Sequence, residues 1–142
     1  MSSSLFIPGP LPTLNALLAA KRARRGKSDR YNSVKRAAEA SVCAAIHEAQ
    51  LSCCPVPAFF AFHWVAPNRR HDPDNIAAGG RKIIFDALVT TERMDNDGWK
   101  NVAGWVDTFA VATVKKDVGV RVEIRKLEGR KEQCHDLQRR IR

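Results

Sequence analysis

The sequence predicts a single α+β domain, a mixed β-sheet with helices packed on it. Three observations carry that expectation. Residues 58–65, Ala-Phe-Phe-Ala-Phe-His-Trp-Val, are apolar on both faces apart from His63, as in a strand at the middle of a covered sheet. Val118, Val120, Val122 and Ile124 alternate with Arg121 and Glu123, the period of a strand with one buried face. Apolar residues recur at helical spacing over residues 33–50 (Val34, Ala38, Val42, Ala45, Ile46, Ala49) and over Pro73–Thr90 (Ile76, Ile83, Ile84, Ala87, Leu88). A chain of 142 residues suits one core, here residues 1–128, followed by a basic helix or tail over 129–142.

Taken in order, Leu5-Phe6-Ile7 begins a first strand that Pro8, Gly9, Pro10 and Pro12 close in a turn, with Asn15 placed to cap the turn that follows. Residues 21–30 contain six Lys or Arg with Gly26 as a breaker and no apolar period, so a mobile loop that orders on phosphates is expected. The helix of residues 33–50 should pack on the sheet. Pro55 and Pro57 introduce the central strand, and Pro67-Asn68-Arg69-Arg70 delivers the chain from its end to Asp72. Val102, Trp105, Val106, Phe109, Val111 and Val114 mark a second long strand, and the turn Lys115-Lys116-Asp117 predicts a hairpin with the alternating strand. The order is strand, helix, strand, helix, strand, strand.

Charge is distributed unevenly. The net charge is +9, yet residues 21–36 carry eight basic residues against one acid and residues 125–142 carry seven against three. The remainder holds nine basic and eleven acidic residues, a balance of −2, so a nearly neutral middle is flanked by basic segments. That pattern suits a polyanion held by the flanks. No apolar run approaches a membrane span, and Met-Ser-Ser-Ser-Leu-Phe-Ile-Pro lacks the regions of a secretory signal; a cytoplasmic protein without membrane contact is expected. Cys43, Cys53, Cys54 and Cys134 form no CxxC pair and are read as free thiols, and Cys134-His135 lacks a matching pair at zinc spacing.

The chemistry concentrates between Asn68 and Trp99. Asp72-Pro73-Asp74-Asn75 has a simple reading as a helix start, because Asp caps helices, Pro suits the first helical position and acids favour the first turn. The neighbours of this segment exceed what a cap requires: Arg69 and Arg70 precede it, and Asp95 and Asp97 follow the helix beside Gly98 and Trp99. Carboxylates so grouped suit a hard divalent cation such as Mg²⁺. Asp74, Ala78, Arg81, Lys82 and Asp86 share the polar side of the helix, and Lys82 stands two turns beyond Asp74, close enough in angle to lean back toward it.

His71-Asp72-Pro73-Asp74-Asn75 and Asn96-Asp97-Gly98-Trp99 resemble the hallmark of the RusA-type Holliday junction resolvases, in a phage-like form, and Pro12 with Asn15 is similar to that family's Pro-x-x-Asn signature. The resemblance spans roughly residues 5–128, with the central motif its specific part. It implies a RusA-like fold, a homodimer that makes two symmetric cuts, four-way DNA junctions as substrate, and a place for Asn15 near the nucleic acid. Two departures stand out. The family's lysine position, one turn after Asp74, is Ala78, and an extra turn Gly79-Gly80-Arg81-Lys82 offers Lys82 or Arg81 instead. Both Asp95 and Asp97 stand where one aspartate is expected, and Asp97 matches better.

The expected activity is Mg²⁺-dependent hydrolysis of phosphodiesters in branched DNA. Asp72, Asp74 and Asp97 are the expected metal ligands and Lys82 the cation; Asn15, Arg22, Arg24, Arg25, Lys27, Arg69 and Arg70 are expected on the DNA. The competing class is a non-catalytic branched-DNA-binding protein, which Ala78 favours. A small RNA-binding or assembly module lacks the aromatic and basic signature it would need.

Overall fold

A computed structural model describes residues 3–22 and 28–127. Its elements are β1 (Ser4–Pro8), α1 (Leu14–Arg22), α2 (Ser28–Glu48), β2 (Ala58–Ala66), α3 (Pro73–Thr90), β3 (Val102–Val111), a short 3₁₀ turn (Lys115–Asp117) and β4 (Gly119–Lys126). Among the described residues four strands form one mixed sheet in the order β1-β4-β2-β3, an α+β domain with three helices. Among the described residues no helix is long and apolar enough to cross a membrane.

β2 is interior, as its apolar run predicts. It pairs parallel with β3, Phe60 opposite Trp105 and Trp64 opposite Phe109, and antiparallel with β4, Phe62 opposite Val122. A parallel neighbour requires a crossover, and α3 supplies it. Two expectations are corrected here. β3 and β4 do not form a hairpin, because they lie on opposite sides of β2; residues 112–118 carry the chain past the end of β2 instead. The physical gain is that β4, whose Val120, Val122 and Ile124 are buried, sits between two strands, whereas β3 takes the edge. Nor are both faces of β2 covered: Ala58, Phe60, Phe62 and Trp64 are buried beneath the helices, while Phe59, Ala61 and Val65 are half-buried and His63 is exposed.

The buried face meets α3 through aromatic contacts, Phe85 lying edge-on to Phe60 and Phe62 with centroids 5.1 and 5.9 Å apart. Fully burying one such side chain stabilises the fold by roughly 1.5–3 kcal/mol. α2 closes the core with Val42 and Ile46, and Lys35 on Asp86 (3.2 Å) and Thr90 on Glu39 (2.7 Å) fix it alongside α3.

The N-terminal third is more helical than the sequence pattern indicates. α1 lies where a turn is expected; it buries Leu17 and Ala20, and Thr13 caps it by accepting the Ala16 N–H at 3.1 Å. Asn15 therefore lies inside the first turn and caps nothing. α2 begins at Ser28 rather than at residue 33, which shortens the expected loop of residues 21–30 from both ends. Arg24, Arg25 and Lys27, like residues 129–142 and Cys134, lie outside the described residues.

Gly79 and Gly80 explain how closely α3 approaches the rest. A Cβ at Gly79 would overlap the backbone of Pro12, Thr13 and Leu14, and one at Gly80 would overlap the Trp64 ring. The pair lets helix, loop and sheet touch. It does not interrupt α3, which runs unbroken from Pro73 to Thr90.

Cys43, Cys53 and Cys54 are free thiols. Burial, helped by the adjacent Cys53 and opposed by Arg93, pushes the Cys54 thiol up from 9.0 to about 11. Because the thiolate is the nucleophile, that rise cuts its reactive fraction near pH 8 about a hundredfold. Mass spectrometry after iodoacetamide treatment at pH 8 is expected to find Cys53, which is exposed, alkylated well before Cys54.

Candidate functional site

Residues 67–71 leave the end of β2 as an exposed loop in which the Asn68 side chain accepts the Arg70 N–H at 2.9 Å. Arg69, Arg70 and His71 all face solvent. Asp72 then occupies the N-cap position of α3 with extended backbone (φ −68°, ψ 146°), and Pro73 takes the first helical position. The Asp72 carboxylate nevertheless makes no capping hydrogen bond. Of the two donors a cap would use, the Asn75 N–H goes instead to Asp74 Oδ1 at 3.0 Å. Two exposed carboxylates thus stand at a sheet-to-helix junction, and Asp72 is not consumed by the helix.

Asn15 joins them. Asn75 Oδ1 accepts the Asn15 N–H at 2.9 Å, and the close approach at Gly79 holds the start of α1 against α3. The result is a shallow depression of about 550 Å³ whose lining includes Asn15, Asp72, Asp74, Ala78, Arg81 and Asp107. Asp107 is not among the residues that the sequence motifs single out. Its signal is legible all the same, a lone acid in the apolar run of β3. Its Oδ2 accepts from Arg81 Nη1 at 2.6 Å and its Oδ1 from Trp64 Nε1 at 2.9 Å. Arg81 also lies over the Trp105 ring, 4.7 Å from the centroid.

Lys82 and Asp97 meet each other, but away from this depression. The Lys82 ammonium reaches Asp86 at 3.1 Å and Asp97 at 3.2 Å. Its pKa is raised by the hydrogen bond to Asp86 first and by that to Asp97 next, with partial burial opposing. Since α3 is unbroken, Lys82 stands about 12 Å along the axis from Asp74, and its side chain points to the later acids rather than back to Asp74. Asp97 is presented by a turn in which Asn96 Oδ1 accepts from Gly98 N (2.9 Å) and from Nδ2 of the buried Asn101 (3.0 Å). Asp95 is exposed.

The candidate ligands are therefore divided into Asp72 with Asp74, and Asp97 with Lys82. Among the described residues no group of three or more His, Cys, Asp or Glu is arranged to hold a metal ion. Two carboxylates remain a fit for Mg²⁺, which keeps several waters and is commonly held by one or two carboxylates plus substrate phosphates. Of the expected DNA-contacting residues, Arg69 and Arg70 adjoin the carboxylates, and Arg22 is exposed at the end of α1. An adjoining, mostly apolar cleft of about 450 Å³, between residues 9–13 and 64–68, carries Arg70 and His71 but no carboxylate. No protein-family model matches this chain, and no curated protein matches it.

Proposed function

We propose that this protein is a Mg²⁺-dependent endodeoxyribonuclease that hydrolyses phosphodiesters in branched DNA, four-way junctions in particular, as a homodimer. The observation that carries the proposal is the pair Asp72 and Asp74, exposed at the end of β2, with the Asp72 carboxylate unspent although it occupies a cap position. These two would hold the cation; a bound Mg²⁺ supplies an activated water and neutralises charge on the scissile phosphate. Arg69 and Arg70 flank the pair and meet the backbone phosphates, Asn15 lies at its edge, and Arg22 with the basic residues that follow extends the contact.

The edge strand β3 supports a pair of subunits. Trp105 and Val106 are each 46% exposed and Phe109 and Val111 41%, an apolar edge that a soluble monomer does not leave open without reason. Phe109 also lines the carboxylate depression, so a second copy there would adjoin the site. Trp99, 89% exposed, belongs to the turn that presents Asp97.

A second reading, a branched-DNA-binding protein without catalysis, is favoured by one observation. Ala78 stands one turn from Asp74 where a cation would serve, and Lys82 is engaged with Asp86 and Asp97. Incubating a labelled synthetic four-way junction with the protein separates the two. Symmetric nicks in Mg²⁺ that vanish with chelator support the nuclease; binding without nicks supports the second reading.

Either reading predicts strong salt dependence. Replacing Arg22, Arg24 and Arg25 together with Ala is expected to flatten the slope of log affinity against log salt by about 0.9 for each phosphate left without its cation. Fluorescence anisotropy across a salt series measures it, and an unchanged slope removes these residues from the interface.

A further inference from the structure

The wall of the carboxylate depression carries a cation that the nuclease proposal does not use. Arg81 follows Asp74 by seven residues on α3, about two turns, which returns it to nearly the same face. It lines the depression that Asp72 and Asp74 line. A guanidinium has five N–H donors in a rigid fork. At Arg81 one of them meets Asp107 at 2.6 Å, while its Cζ lies over the Trp105 ring, 4.7 Å from the centroid. Asp107 is itself held by Trp64 Nε1 at 2.9 Å, and Trp64 is only 3% exposed. The chain of contacts thus runs from the core to the guanidinium. The Arg81 side chain keeps 18% of its surface in contact with solvent. It is immobilised from behind, and most of its donors are not taken by Asp107.

We propose that Arg81 binds a phosphate oxygen of the nucleic acid beside Asp72 and Asp74, and that Asp107, Trp64 and Trp105 are positioning residues that set its guanidinium for that contact. The identity of the anion as a phosphodiester rests on the nuclease proposal; the placement of Arg81 does not. Arginine suits the task because its planar fork stacks on Trp105 while presenting paired donors, and little side-chain freedom remains to be lost on binding. The alternative is a purely structural ion pair that ties α3 to β3.

The test compares wild type with Arg81→Gln, Arg81→Lys and Asp107→Asn, each checked by thermal melting. Junction binding is measured in chelator across a salt series, and cleavage in Mg²⁺ at saturating junction. Arg81→Gln is expected to weaken binding about tenfold and to reduce the salt slope by about 0.9, one neutralised phosphate. Arg81→Lys keeps the charge and restores the slope but not the cleavage rate, which stays about tenfold low because an ammonium cannot stack and fork together. Asp107→Asn keeps an acceptor for Trp64 and removes a negative charge, so binding holds or tightens while saturated cleavage falls about tenfold; a merely structural pair would not split the two. A folded Arg81→Gln protein with unchanged affinity and slope overturns the inference. Should that variant not fold, the Nε–H resonance of Arg81 in ¹⁵N-labelled wild type decides: a shift on adding a short oligonucleotide in chelator supports the contact, and an unmoved signal refutes it. If wild type binds junctions but never cuts them, the nuclease proposal falls while the binding arm still judges Arg81. If wild type does not bind junctions, both fall.

Discussion

Replacing Asp74 with Asn is expected to lower the rate of junction cleavage at least about a thousandfold, some 4 kcal/mol of barrier, while junction binding in chelator holds or tightens. Asn is nearly isosteric and its Oδ1 can still accept the Asn75 N–H that Asp74 accepts at 3.0 Å, so the helix start survives. The variant removes the charge that would hold the cation. Without metal, the Asp72 and Asp74 carboxylates repel an approaching phosphate, and neutralising one relieves that repulsion. Asp72→Asn should behave alike. The helix-cap reading predicts a different pattern, with cleavage and stability both close to wild type, because Asn caps a helix about as well as Asp. Gel-resolved cleavage rates with parallel melts distinguish the two.

Gly79→Ala is expected to destabilise the fold by about 3 kcal/mol, at the upper end of what overpacking costs. Helix propensity alone predicts the opposite sign, since Ala is better than Gly in a helix interior by about 1 kcal/mol. The inversion follows from what the new methyl meets. The Pro12 carbonyl oxygen, Leu14 N and Thr13 C are backbone atoms that no rotamer change can move away. The loop of residues 9–13 and α3 must separate instead, straining the hydrogen bond from Asn15 N to Asn75 Oδ1 that closes the depression. Urea or thermal unfolding measures the effect. A variant as stable as wild type would mean that loop and helix are not held this close.

Much of this arrangement is legible in the residues, because the strongest signals are local. The limits of α3 follow from Pro73 at its start and from the apolar stripe ending near Leu88, and the interior place of β2 follows from its continuous apolar run. The hairpin expectation fails because a short polar turn between two apolar strands looks the same whether the strands pair or straddle a third. Only the competition for β2, won by β3 in parallel and β4 in antiparallel, decides it. α1 escapes a sequence reading because the prolines before it and the arginines after it obscure a single turn of apolar spacing, Leu14, Leu17 and Leu18. The site is legible in part. Asp72, Asp74 and Asn15 line one depression, and Lys82 meets Asp97. Their separation into two groups depends on α3 continuing unbroken through Gly79 and Gly80, which serve close packing in the fold. Asp107 can be recognised only once β3 lies beside β2, where Trp64 and Arg81 converge on it.

The central claim is that Asp72 and Asp74 hold a divalent cation rather than start a helix, and direct titration with Mn²⁺ as a paramagnetic substitute for Mg²⁺ tests it without any substrate. Electron paramagnetic resonance of the full chain is expected to show wild type depleting free Mn²⁺, and a double variant Asp72→Asn, Asp74→Asn failing to do so while melting at the wild-type temperature without metal. Equal Mn²⁺ uptake by the two proteins would contradict it.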